Sequence, residues 1–76
     1  VKGDILFYTG DFRGAIKAYK RSVEKGAPED YALYKTAKAY YKSGNRKAAR
    51  EAVLKALEIA KSRILIFNLR GFLKIL

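Results

Sequence analysis

Seventy-six residues allow one small domain with a modest core. The hydrophobic share of 50% belongs to a folded chain rather than a disordered tail, and seventeen Lys and Arg against seven Asp and Glu leave a formal charge of +10. That charge favours acidic peptides, nucleic acid or anionic lipid as partners, while the absence of Cys and His excludes disulfides, thiolate or imidazole metal sites and catalysis by those side chains. Met and Gln are also missing and Lys, Arg and Ile are plentiful, a composition resembling the thermophile's depletion of labile residues. No charged-then-apolar leader opens the chain, so a cytoplasmic setting is expected. The opening Val suggests a chain processed or cut from something longer.

In chain order, a first helix is predicted over 2–9, ended by the turn "YTGDF" at 8–12. Gly10 suits the left-handed residue that closes a helix, and Asp11 caps the next one, predicted over 12–25. "KGAPED" at 25–30 then breaks the chain: Gly26 terminates, Pro28 suits a first turn, and Glu29 and Asp30 favour the positive end of a third helix over 29–43. "KSGNR" at 42–46 repeats the earlier turn, with Gly44 closing and Asn45 capping a fourth helix over 46–61. A last, apolar helix runs over 63–76. From Asn45 to Arg70 there is neither Gly nor Pro, so residues 46–76 read either as two helices hinged near 61–63, with Ser62 as cap, or as one long helix open to domain swapping.

Gly10 and Gly44 lie 34 residues apart, and the same offset matches Leu6 with Tyr40, Phe7 with Tyr41, Ala15 with Ala49, Ala18 with Ala52, Val23 with Leu57 and Glu24 with Glu58. A period of this length built from two helices and a tight turn marks a repeat array. Gly3 and Ala37, Ala15 and Ala49, and Ser22 and Ala56 supply small residues. Leu6 and Tyr40, and Tyr19 and Val53, supply larger ones. In spacing and residue type the chain resembles the tetratricopeptide repeat family over residues 1–61. The departures are Thr36 at a usually apolar place, Pro28 one place late, and no Pro after the second copy. The resemblance implies an all-α fold of antiparallel helix hairpins in a right-handed superhelix, forming a single domain over 1–76. Residues 1–28 would be a partial first repeat, 29–62 a second, and 63–76 a capping helix or the start of a third. In a third copy Phe67 and Gly71 would take core places and Lys74 would be misplaced. The tail is apolar almost all round, and arrays of fewer than about three repeats are marginal. Ile64, Phe67, Phe72 and Leu73 are therefore the candidate self-association surface, with continuation beyond residue 76 as the alternative. At 13 or 14 residues the segment is too short to span a bilayer, and attachment to a membrane surface through Arg63, Arg70 and Lys74 is the weakest reading.

The seven carboxylates are Asp4, Asp11, Glu24, Glu29, Asp30, Glu51 and Glu58. Asp11, Glu29 and Asp30 are explained as helix-start residues and Glu51 pairs with Lys55 at i,i+4. No paired acids or phosphate loop emerge, so neither an enzyme nor a cofactor is expected. "YALYKTAKAYYKSG" at 31–44 is more informative. One helical face holds Leu33, Ala37 and Tyr40 with Thr36 at its margin, for packing; another holds Tyr31, Tyr34, Lys35, Lys38, Tyr41 and Lys42. The resemblance places that second face, extended by Phe7 and Tyr8, on the concave groove where the family's ligands bind. From Tyr31 through Arg50 stand six cations and no acid. Such a groove suits an acidic or extended protein segment. The family's clamp for a terminal carboxylate is not expected, since Lys35 stands where Asn is required and Leu65 and Leu69 where basic residues would be. Two alternatives stay open: a solvated charged face with no ligand, and a basic helical-repeat module binding RNA.

Overall fold

The computed structural model describes residues 2–76; Val1, the first residue of the expected partial repeat, lies outside them. Five α-helices follow one another among the described residues: α1 Lys2–Tyr8, α2 Phe12–Glu24, α3 Glu29–Lys42, α4 Arg46–Ile59 and α5 Arg63–Ile75. The fold is all-α. Each helix that ends at a predicted turn stops one residue short of the expected boundary, as fraying last turns do.

The turns are local chemistry. Gly10, Gly26 and Gly44 take φ values of 90°, 103° and 90°, a region closed to most side-chain-bearing residues. At each, two backbone bonds close the helix. For the first turn these run from Gly10 N–H to the Phe7 carbonyl (3.2 Å) and from Asp11 N–H to the Leu6 carbonyl (2.9 Å). The pattern recurs from Gly44 to Tyr41 and from Asn45 to Tyr40, satisfying carbonyls the helix end would otherwise orphan. Asp11 and Asn45 then accept from the backbone N–H groups of Gly14 (3.0 Å) and Ala48 (3.1 Å). Pro28 caps α3 without a side-chain bond, and Glu29 and Asp30 occupy the first turn.

The hinge after α4 is real. Ala60 and Ser62 are extended (ψ 133° and 129°), and the Ser62 hydroxyl faces the Leu65 N–H at 3.4 Å. The single long helix left open by the sequence is therefore not formed, and α4 ends at Ile59 rather than 61.

Small residues set the helix spacing. Gly3 has no room for a methyl group, because a Cβ there would lie 2.6 Å from the Tyr19 ring. Ala37, Ala49, Val53 and Ala56 are fully buried, and α3 and α4 form the most extensive pair. α3 is buried on a second side as well: Ala32, Thr36 and Ala39 are covered, and the Thr36 hydroxyl donates to the Ala32 carbonyl at 2.8 Å. Thr36, expected at the margin of the packing face, is thus a core residue. Its polar atom is satisfied within the helix itself.

α5 does not keep the register of α3. Leu65 and Leu69 are its buried residues, with Phe72, Leu73 and Leu76 half-buried against the same cluster. By the 34-residue offset Leu65 and Leu69 match Tyr31 and Lys35, which in α3 face the groove. Ala32, Thr36 and Ala39, the residues of the second buried side of α3, correspond to Ile66, Arg70 and Leu73. Arg70 cannot be buried unpaired, so α5 turns its leucines inward instead. Phe67 is left 78% exposed and Ile64 76% exposed. Leu69→Ala is expected to cost about 2–5 kcal/mol by removing a fully buried side chain, whereas Phe67→Ala should stay within about 0.5 kcal/mol. Urea melts followed by circular dichroism check both values.

Candidate binding groove

α1, α3 and α5 present one concave surface, with α2 and α4 packed behind. Two adjoining depressions lie on it. The first, about 420 Å³, is lined by Phe7, Tyr34, Lys38, Tyr41 and Lys42 from α1 and α3, and by Asn68, Gly71, Phe72 and Ile75 from α5. The second, about 200 Å³, is lined by Asp4, Phe7, Tyr8, Tyr19, Tyr31, Tyr34, Lys35 and Lys38. Phe7, Tyr34 and Lys38 form the shared wall. All eight expected groove residues (Phe7, Tyr8, Tyr31, Tyr34, Lys35, Lys38, Tyr41 and Lys42) line one depression or the other.

The walls are aromatic. Phe72 meets Tyr41 edge-on with ring centres 5.6 Å apart, and Tyr34 at 6.2 Å. Phe7 packs edge-on against Tyr8 and Phe12, both at 5.6 Å. Tyr8 is 84% exposed and Tyr31 is exposed beside it, whereas Tyr34 and Tyr41 are half-buried. Cations sit over several rings: the Lys38 ammonium lies 4.6 Å from the Tyr34 centre, Lys35 lies 4.9 Å from Tyr31, and the Arg46 guanidinium lies 5.9 Å from Tyr41. Such contacts hold flexible cations near the groove while leaving their charge in solvent.

Lys35 is placed differently from the other cations. Its ammonium contacts both Asp4 carboxylate oxygens at 2.9 Å. The same carboxylate accepts from the Tyr19 hydroxyl at 3.2 Å. The Lys35 hydrogen bond is the main reason the Asp4 carboxyl sits below its ordinary value of 3.8. Burial, followed by the bond to Asp4, pushes the Tyr19 hydroxyl from 10.0 up to about 12.

Asp4 and Tyr19 are groove residues that sequence reasoning missed. The signal was available, since the 34-residue offset aligns Asp4 with Lys38 and so puts it on the groove side of α1. Asn68 and Ile75 were missed as well, although the same offset aligns them with Tyr34 and Tyr41; Gly71, aligned with the buried Ala37, carried no such signal. Phe72 and Leu73, expected on a self-association surface, are instead half-buried against the body, and Phe72 is part of the groove wall. Ile64 and Phe67 are exposed and line neither depression. No helix among the described residues is long and apolar enough to cross a membrane.

Repeating helix hairpins with the first helices lining a concave face define an α-helical repeat scaffold. Residues 1–63 match the tetratricopeptide repeat family, and the chain belongs to it. Among curated proteins it is similar to TPR repeat-containing protein MJ1428 of Methanocaldococcus jannaschii, with 37% identity over 57 residues. That match covers 75% of this chain and 10% of the relative's length. No solved structure matches. The family's repeats generally mediate protein–protein interaction and are typically non-catalytic.

The two shifted groups give stability a pH dependence at both extremes. A depressed carboxyl contributes fully above its ordinary value and loses that contribution as pH falls through the lowered one, so melting temperature should begin to drop below about pH 4. A raised hydroxyl contributes fully below 10.0 and is lost as pH rises toward about 12. Asp4→Asn should flatten the acid limb and Tyr19→Phe the alkaline one, as followed by thermal melts across both ranges.

Proposed function

We propose that the groove holds an acidic, extended segment of another protein, and that the chain acts as a non-catalytic interaction module. The observation that carries this reading is the convergence of Tyr31, Tyr34, Tyr41, Phe7 and Phe72 with Lys38 and Lys42 on one concave surface. Aromatic walls supply contact area at low entropic cost, and the ammonium groups supply attraction to carboxylates. Family membership supports a protein ligand. Single-stranded RNA is the rival, because exposed tyrosines beside lysines can also stack bases.

Lys38 and Lys42 are exposed, so reversing their charge leaves the core untouched. Lys38→Glu with Lys42→Glu should weaken binding of a fluorescent Glu/Tyr peptide at least about tenfold, with helicity unchanged and only a small fall in melting temperature. Fluorescence anisotropy and circular dichroism read the two effects. If an oligouridylate binds tightly and the peptide fails to displace it, the protein-segment reading is wrong. A second reading rests on the exposure of Ile64 and Phe67 on the outer side of α5, which supports self-association through that face. Phe67→Ser should then lower the mass measured by light scattering, and an unchanged monomer excludes it.

A further inference from the structure

The groove's cations are not equally available to a ligand. Lys35 gives its ammonium to both oxygens of Asp4 at 2.9 Å, and the side chains of the pair are only 22% and 36% exposed. Asp4 also accepts from Tyr19, so the carboxylate is held from two sides. In the depression that Asp4, Tyr8, Tyr31 and Lys35 help to line, the pair therefore cancels, and Lys38 on the wall shared with its neighbour is the one uncompensated charge among the lining residues. The neighbouring depression is lined by Lys38 and Lys42 and by no acid. Those two lysines stand one helical turn apart on α3. The surface thus runs from an aromatic end beside α1, where Lys35 and Asp4 neutralise each other, to a more cationic end over Lys38 and Lys42 of α3.

We propose that Asp4 makes the groove electrically one-sided, selecting a protein segment whose acidic residues cluster at one end, over Lys38 and Lys42, and whose other end is aromatic and uncharged, over Tyr8 and Tyr31. Asp4 is then a specificity determinant that acts by repulsion. It occupies Lys35, the lysine of the α1-side depression that the neighbouring depression does not share, and its own charge disfavours a second carboxylate there. The Tyr8 and Tyr31 rings remain exposed for apolar or stacking contact. This inference rests on the groove reading above.

Anisotropy titrations with labelled peptides test it, first on the unaltered protein. Three peptides are compared at 50 mM salt: one with glutamates at its amino end and tyrosines at its carboxyl end, one in the reverse order, and one with glutamates at both ends. One of the single-ended orders should bind about fivefold tighter than the other, and the double-ended peptide should bind no tighter than the better of them. A double-ended peptide that binds tightest overturns the inference.

Charge variants supply the second arm, each first checked for native helicity. Asp4→Asn keeps an acceptor for the Tyr19 hydroxyl and frees Lys35, so the double-ended peptide should gain about fivefold. Lys35→Gln leaves Asp4 uncompensated and should weaken it by a similar factor. With both substitutions the end is neutral again, and affinity should return to within about twofold of the unaltered protein. These differences should vanish at 1 M salt, where the screening length is about 3 Å; a loosened groove would not show that dependence. If Lys35 itself gripped the ligand, the double variant would stay as weak as Lys35→Gln, which overturns the proposal. Failure of every peptide to bind any form overturns the groove reading as well. Binding that responds to Lys38→Glu and Lys42→Glu but not to Asp4→Asn overturns this inference alone.

Discussion

The close approach of α3 to its neighbours is the constraint on which the rest of the molecule depends. Ala37, Ala49 and Ala56 are fully buried in the α3–α4 pair, while Ala32 and Ala39 cover the second buried side of α3. Helices can lie this close only where side chains are short, and at such seams the packing contact comes from backbone and methyl groups. Leu33 and Tyr40 lie half-buried on the packing side, and the other large residues of α3 fall in the remaining sector. Tyr31, Tyr34, Lys35, Lys38, Tyr41 and Lys42 share one side by helical spacing, away from the alanine seams. The same logic holds in the first hairpin, where Gly3 admits the Tyr19 ring and α1 carries Phe7 and Tyr8 onto the concave surface.

Charge is organised on that frame with less symmetry than the repeat would suggest. The two copies are offset by 34 residues, yet Asp4 stands where the second copy has Lys38. That one exchange puts a carboxylate into a run of cations, and Lys35 and Tyr19 fix it there. The pair keeps part of its surface in solvent, so its direct contribution to stability is modest. Its larger consequence is to leave the groove's positive potential concentrated on Lys38 and Lys42. A basic composition therefore understates how directional the surface is.

α5 shows a different compromise. Its sequence is apolar on nearly every side, and the choice of inward face falls to Leu65 and Leu69 because Arg70 blocks the register of α3. Phe72 then closes the groove wall against Tyr34 and Tyr41. One helix thus completes both the core and the candidate site, while Ile64 and Phe67 remain in solvent.

Much of this was legible in the sequence because its causes are local. Gly10, Gly26 and Gly44 fix the turns through a backbone conformation that few other residues adopt, and Asp11 and Asn45 cap through bonds spanning three residues. The 34-residue offset and the 3.6-residue helical period then separate the packing side of α3 from the side of Tyr31, Tyr34, Lys35, Lys38, Tyr41 and Lys42, and the family resemblance adds Phe7 and Tyr8 of α1 to that second side. The hinge at 60–62 lay within reach but lacked a Gly or Pro to mark it. What only the tertiary structure decided depends on groups far apart in the chain: the pairing of Lys35 with Asp4, 31 residues away, the burial of Thr36 between two helices, and the rotation of α5. A helical period tells which residues share a side, but where every side is apolar, or where a partner charge comes from another helix, only the packed neighbours can select one.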